Sequence, residues 1–373
     1  MATRKSSSKK TNVREIVLIF IILVLIAALL ASLFAADEIK SILGLSGNAQ
    51  NESGDDGVVY TSVLSGKANV VLPSEFDGEN CVEVHFIDIG QGDAIAVMLP
   101  DGKTFLIDAG SGTSVSAATR TEYMNYLSDI LAIDVVDYLL VTHPDSDHVN
   151  LASGVLEEYD VKNIYYNEHY TEGSKTYKTF MDDADAEAET GATLYEIGAE
   201  EEKYTVTGDG YEFEIFAPGN TGFEGAESAK NSMSIMCVLT YGGRTVLFTG
   251  DAEVETEEWF ISLPEVADLD VDVLKVGHHG SESCTSQAFM EAIKPEYALI
   301  SCDNGTAYGH PHAETMNTLF AFGTVTYRTN RHGNVVLYLD DDGDFGFLPE
   351  NDVPVENNRL GINPLTITLQ KAA

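Results

Sequence analysis

VDYLLVTHPDSDH, residues 136–148, is an apolar strand that runs straight into a turn packed with polar side chains. Its continuous apolar run, bounded by turn residues, predicts a strand. The turn that follows holds His143, Asp145, Asp147 and His148 within six residues. On a strand-to-helix turn these side chains can converge on one point, and a mixture of imidazole and carboxylate suits Zn, Mn or Fe.

Other strand ends offer complementary groups. Asp251 closes the run VLFTGD, as a candidate ligand or as the N-cap of the next helix. His278-His279 ends the strand VDVLKVG, and one of the two is expected to bind metal. Upstream, Asp88-Ile89-Gly90-Gln91-Gly92-Asp93 forms a tight turn whose glycines let backbone approach a site closely. Asp93 there serves either the metal shell or the turn. His310, in the loop YGHPH, is a candidate contact for a leaving group or phosphate; the competing reading is a helix start at Pro311-His312. Lys275 either steers an anion or is an ordinary exposed lysine. His85, His169 and His332 stand alone and read as structural or surface residues.

Around these motifs the pattern alternates strands and helices. Strands are expected at VEVHFIDIG, AIAVMLP and KTFLIDAG, then a helix over 121–133 and the strand into His143. The second half predicts strands at NIYY, TLYEI, YEFEIFAP, SIMCVLTY, RTVLFTGD, VDVLKVG, YALISC, TVTYR and NVVLYLD. Helices are expected over 175–189, Val254–Ser262, 286–293 and Ala313–Phe322. Two strand-rich halves, each carrying helices, suit two packed sheets with helices outside.

The order FIDIGQGDA, LIDAG, THPDSDH, LFTGD, LKVGHHGS and YGHPH, over about residues 82–347, resembles the ComEC-type branch of the metallo-β-lactamase superfamily in its stand-alone form. That resemblance implies an α/β fold, the four-layer αββα sandwich, with metals at the sheet ends. It implies two divalent ions, Zn first and Mn second, and metal-assisted hydrolysis in which the cations lower the pKa of a shared water. It further implies His143 and Asp145 on one metal, Asp147 and His148 on the other, Asp251 bridging, and His278 as the last ligand. Asp108 then buttresses the site, and Asp147 orients water or accepts its proton. The usual third-motif histidine has no counterpart; Asn231 or Ser232, in AKNSMSIM, stands in that place. The first site is therefore expected to be short of nitrogen ligands. His279, Asn231 and Asp93 are the further candidates. Val149-Asn150-Leu151 replaces the glycine pair that commonly follows the metal motif.

Bulk properties add topology and limit the substrate. Of 373 residues, 44% are hydrophobic and 22% charged, which suits a globular protein and not a disordered one. Residues 16–36, IVLIFIILVLIAALLASLFAA, carry no charge; at ~1.5 Å per residue they reach ~30 Å, a bilayer core. A transmembrane anchor is the favoured reading and a cleaved signal peptide the alternative. Five cations (Arg4, Lys5, Lys9, Lys10, Arg14) precede the span, which places the N-terminus inside a bacterial cell and the remainder outside. The expected organisation is a basic segment (1–15), the anchor (16–36), a flexible linker (37–80) whose stretch GLSGNAQNESGDDG is rich in Gly, Ser, Asn and acids, the hydrolase domain (81–348) and a tail (349–373).

Beyond residue 36 only sixteen of the 21 basic residues remain against fifty-nine of the 60 acidic ones, a formal charge of −43. So acidic a body repels polyanions, whose binding rests on Lys and Arg. A phosphodiester is the expected substrate, DNA or a cell-envelope polymer. Hydrolysis of an ester, lactam or lactone is the enzymatic alternative, and a non-catalytic surface or assembly module the non-enzymatic one. Cys81, Cys237, Cys284 and Cys302 lack C-x-x-C spacing, which argues against a thiolate metal site and leaves disulfides or buried thiols.

Overall fold

The structure, a computed structural model, describes residues 59–60, 70–71, 80–167, 174–198, 203–218, 229–305 and 308–355. Among these no helix is long and apolar enough to cross a membrane; the span expected at 16–36 lies outside them, as does His169. Within the stretch expected to be a linker, Val59–Tyr60 (β1) and Val70–Val71 (β2) pair antiparallel.

The first sheet takes β3 (Cys81–Phe86), β4 (Ala94–Met98), β5 (Thr104–Ala109), β6 (Val135–Leu140), β7 (Asp160–Asn167) and β8 (Thr193–Ile197). The second takes β9 (Lys203–Thr207), β10 (Glu212–Phe216), β11 (Met236–Tyr241), β12 (Arg244–Phe248), β13 (Val273–Lys275), β14 (Tyr297–Ile300) and β15 (Val325–Arg328). The chain then returns: β16 (Val335–Asp340) pairs antiparallel with β3, and β17 (Phe345–Pro349) covers β16. The orders are β17-β16-β3-β4-β5-β6-β7-β8 and β15-β14-β13-β12-β11-β10-β9.

Alternation along each strand builds three layers of core. In β5, Phe105 and Ile107 point between the sheets, while Leu106 and Ala109 point to the helical side. Phe105 stacks on Phe213 of the opposite sheet with ring centroids 4.3 Å apart. The first sheet's outer face is covered by α1 (Ala117–Asn125), the short α2 (Ser146–Val149), α3 (Ala152–Glu158) and α4 (Lys175–Thr190). The second sheet's outer face is covered by α5 (Val254–Ser262), α6 (Gln287–Ile293) and α7 (Ala313–Phe322). A four-residue α8 (Thr329–His332) precedes β16. This is a two-sheet α/β sandwich with helices outside. Because both faces of each sheet are covered, every residue of β3 and β5 is buried, the polar Glu83, His85, Thr104 and Asp108 included.

Several boundaries differ from expectation. The helix expected over 121–133 begins earlier, where the Ser116 hydroxyl accepts from Thr119 N at 3.0 Å, and passes into a π-turn over Tyr126–Ile130. The strand β9 and helix α3 were not anticipated. The ordered domain also runs past 348: Pro349 belongs to β17, and the backbones of Glu350 and Asn351 donate to Asn334 and His332.

Candidate metal centre

In the first sheet β5, β6, β7 and β8 run parallel, as do β12, β13, β14 and β15 in the second. Their carboxyl-terminal loops gather at one edge of the sandwich. That edge receives Asp93 from the β3–β4 loop, Asp108 from the end of β5, the 143–148 turn after β6, Asp251 after β12 and His278-His279 after β13. Two glycines permit the approach. A Cβ on Gly110 would lie 2.3 Å from the Asp147 backbone, and one on Gly92 would lie 2.5 Å from Asp147 O, so any side chain would push the loops apart.

Asp93, His148, Asp251 and His279 each place one donor atom within 4.8 Å of the others, and all four are buried. Hydrogen bonds fix which nitrogen faces inward. His279 Nδ1 lies 2.9 Å from the Ser301 carbonyl, which can only accept, so Nδ1 carries the proton. His148 Nδ1 likewise donates to Asp108 Oδ2 at 2.8 Å. The two Nε2 atoms then face one another at 3.2 Å. Two lone pairs at that distance repel unless a proton or a cation lies between them. Asp108 is held in turn by Thr142, whose N and Oγ1 donate to it at 2.8 and 2.7 Å. A carboxylate orienting a histidine in this way is the usual support of a metal-ligating imidazole.

Asp251 divides its oxygens. Oδ1 lies 3.1 Å from His148 Nε2 and 3.5 Å from His279 Nε2; Oδ2 lies 3.7 Å from His143 Nε2 and 3.9 Å from His278 Nε2. The His143 Nε2 atom is buried without a hydrogen-bond partner. Asp147 Oδ2 joins the first group, 3.5 Å from His279 Nε2. The buried Asp93, His148, Asp251 and His279 therefore fit a metal cation, and Asp251 turns its second oxygen towards His143 and His278.

The electrostatics follow the same division. Burial alone would strip the proton from His148, but Asp251 and Asp108 outweigh it and hold its pKa well above the ordinary value. Desolvation would raise Asp147, yet the His279 hydrogen bond and the charge of His148 bring it down to about 2. Asp251 is held well below the usual carboxylate range by His148, His279 and His278 despite its burial. Desolvation, then His148, lowers His143. Desolvation and the neighbouring His279 and His278 push His310 down to about 4.

The metallo-β-lactamase superfamily profile matches residues 88–303. The chain belongs to that superfamily. Its curated relatives include ComE operon protein 3 of Bacillus subtilis, 29% identical over 72% of this chain and 35% of that protein. Recombination protein 2 of Haemophilus influenzae is 29% identical over 70% of this chain and 29% of that protein. These are ComEC-type competence proteins, and the chain spans about a third of their length. Among solved structures, a CmlA β-hydroxylase mutant aligns with TM-score 0.44 and 15% identity, over 69% of this chain and 54% of that one.

Several site expectations change within this metallo-β-lactamase fold. His279, not His278, sits in the tight group, because the two residues take left-handed backbone (φ 52° and 42°) and their rings diverge. His278 is partly exposed and contacts Asn231, Ser283 and Glu253 beside the His143 side of Asp251. Asp145 does not enter the tight group; its carboxylate is 35% exposed and accepts from Lys230 at 3.1 Å. Asp251 is not the N-cap of α5, where Glu253 occupies that position.

Lys275 is neither exposed nor free to steer an anion. It is fully buried, with Nζ 2.7 Å from Asp93 Oδ2. A lysine centred in the apolar run VDVLKVG was the available signal for this. His310 borders the site, its ring centroid 6.2 Å from that of His279, and the helix start expected at Pro311-His312 is present beside it, with His312 at the N-cap of α7. The four cysteines are buried free thiols, so the disulfide alternative does not hold. His85 is a buried structural residue, bonded to Glu83 and Tyr126, and His332 is buried beside Arg328.

Proposed function

We propose that the protein is a divalent-metal-dependent phosphodiesterase, anchored by residues 16–36 with its catalytic domain outside the cell. The observation that carries the reading is the shared Asp251 carboxylate, with His148 and His279 on one oxygen and His143 and His278 on the other. Zn, or Mn in its place, would be held by these residues with Asp147 and Asp93, and would supply Lewis-acid charge and an activated water. Asp145 would join only by releasing Lys230.

The chain's own groups take defined parts. Asp108 keeps the His148 ring in its metal-ready tautomer. Asp147, ionised by its histidine neighbours, orients a nucleophilic water. The Gln91 amide lies 3.4 Å from His310 Nδ1 and donates to it, which leaves the His310 Nε2–H to donate to a phosphate or leaving-group oxygen. Competence relatives support nucleic acid as substrate, whereas a formal charge of −43 after residue 36 supports a smaller diester or an envelope polymer. We favour the latter. The test is metal analysis of the full-length protein in detergent, with turnover of bis-p-nitrophenyl phosphate before and after chelation. Two equivalents of metal and chelator-sensitive turnover are expected; metal-free protein with undiminished turnover would overturn the reading.

A further inference from the structure

The turn that aims His279 is held against its own backbone preference. Of the six non-glycine residues with left-handed φ among the described residues, His278, His279 and Thr285 all lie between β13 and α6. A side chain crowds the backbone in that conformation, so such residues persist only where their surroundings fix them. Here the fixing groups can be traced. Cys284 Sγ lies 2.9 and 3.1 Å from the Gly277 and Ser281 carbonyls, within reach to donate to either, and so spans the His278-His279 turn. Val254 N donates to the Ser283 carbonyl at 3.0 Å, which seats the start of α5 against the same loop.

The far end of the loop is held by one buried group. Glu257, on α5 and 2% exposed, accepts the backbone N–H of Thr285 on Oε1 and that of Ser286 on Oε2, the latter at 2.8 Å. Bonds to an ionised acceptor are the strong kind. The carboxylate is nonetheless costly to keep inside: burial pushes its pKa up to about 7, even against the donation from Ser286 and Thr285. An apolar side chain would fill the inner face of α5 without that cost. What the carboxylate does, and an apolar group would not, is fix two successive N–H groups directly after Cys284, one of them on left-handed Thr285. Because α5 begins three residues after Asp251, the same contact ties the loop to the strand end that carries the central carboxylate.

We propose that Glu257 is a positioning residue of the metal centre: its carboxylate clamps the loop after β13 and thereby holds His279 Nε2 towards Asp251 and His148. The proposal rests on the metal-centre reading, and assigns part of that site's affinity to a group outside the ligand set.

The test uses full-length protein in detergent at pH 8, where Glu257 is ionised. Glu257→Gln is nearly equal in size but can accept only one of the two N–H groups; Glu257→Asp keeps the charge and falls a methylene short. Each should weaken zinc binding, titrated calorimetrically, by about tenfold or more, as loss of a ligand's outer support does. In EDTA, hydrogen–deuterium exchange read by mass spectrometry should quicken over residues 278–286 in both variants and not elsewhere. Phe260→Leu loosens the same helix against Phe216, with ring centroids 5.4 Å apart, without removing either hydrogen bond to Glu257. That control should lower Tm and leave zinc affinity and the exchange of 278–286 as in the wild type. Unchanged zinc affinity in the two glutamate variants, exchange that rises across the whole chain, or equal losses in Phe260→Leu would overturn the proposal. If the wild-type protein binds no zinc while exchange still quickens over 278–286 alone, the metal-centre reading fails and the clamp stands.

Discussion

Replacing Lys275 with methionine removes the cation from a pair that is buried on both sides, with Nζ and Asp93 Oδ2 2.7 Å apart. Methionine keeps most of the stem's volume, so the main change is an uncompensated Asp93 carboxylate close to Asp251 and Asp108. Breaking a buried pair by removing one partner costs about 3–5 kcal/mol. In a domain of this size each kcal/mol moves Tm by roughly 2–4 °C, so the metal-free variant should melt roughly 6–20 °C lower. The Lys275→Met/Asp93→Asn double variant removes both charges and should recover most of that loss. Zinc restores positive charge beside Asp93, so the single variant's deficit should shrink by half or more when metal is present. The assay is thermal unfolding by circular dichroism of full-length protein in detergent, in EDTA and in zinc. A deficit equal in the single and double variants would mean that packing, not pairing, was lost. A deficit unchanged by zinc would separate Asp93 from the metal centre.

Four further outcomes are expected. Asp251→Ala should lose both metals, read as metal equivalents by mass spectrometry, because one carboxylate serves both histidine pairs; His279→Ala and His278→Ala should each lose about one. Zinc affinity should weaken by about tenfold or more per pH unit on acidification, because His148 must give up its proton to bind; by the same linkage, the stability that this proton gives the metal-free fold is fully present below about pH 6.5 and is lost as pH rises through the higher folded pKa. Calorimetric zinc titrations and melts across pH check both signs, and a pH-independent affinity would contradict the assignment. Protease added to intact cells should remove the domain; protection until lysis would reverse the proposed orientation. Single-stranded DNA should be cleaved weakly, and small diesters with little salt dependence; a steep loss of DNA cleavage with rising salt would reveal a basic groove and favour a nuclease.

What the amino-acid sequence determined by itself was the local and the periodic. Apolar runs ending in Asp108, His143, Asp251 and His278 marked buried strands whose ends carry chemistry, since strand burial and turn composition are short-range properties. The helices Val254–Ser262 and Ala313–Phe322 were legible to the residue for the same reason. Only the tertiary structure decided how those ends divide the work. Whether His278 or His279 joins Asp93 and His148 depends on two adjacent left-handed residues, and no periodicity specifies such backbone. The return of β16 to pair with β3, more than two hundred residues away in the chain, is a long-range closure that local pattern does not encode. Lys275 makes the same point at the level of one side chain. A lysine reads as exposed because burying a lone ammonium is prohibitively costly. It is buried here because Asp93, 182 residues earlier, is folded against it.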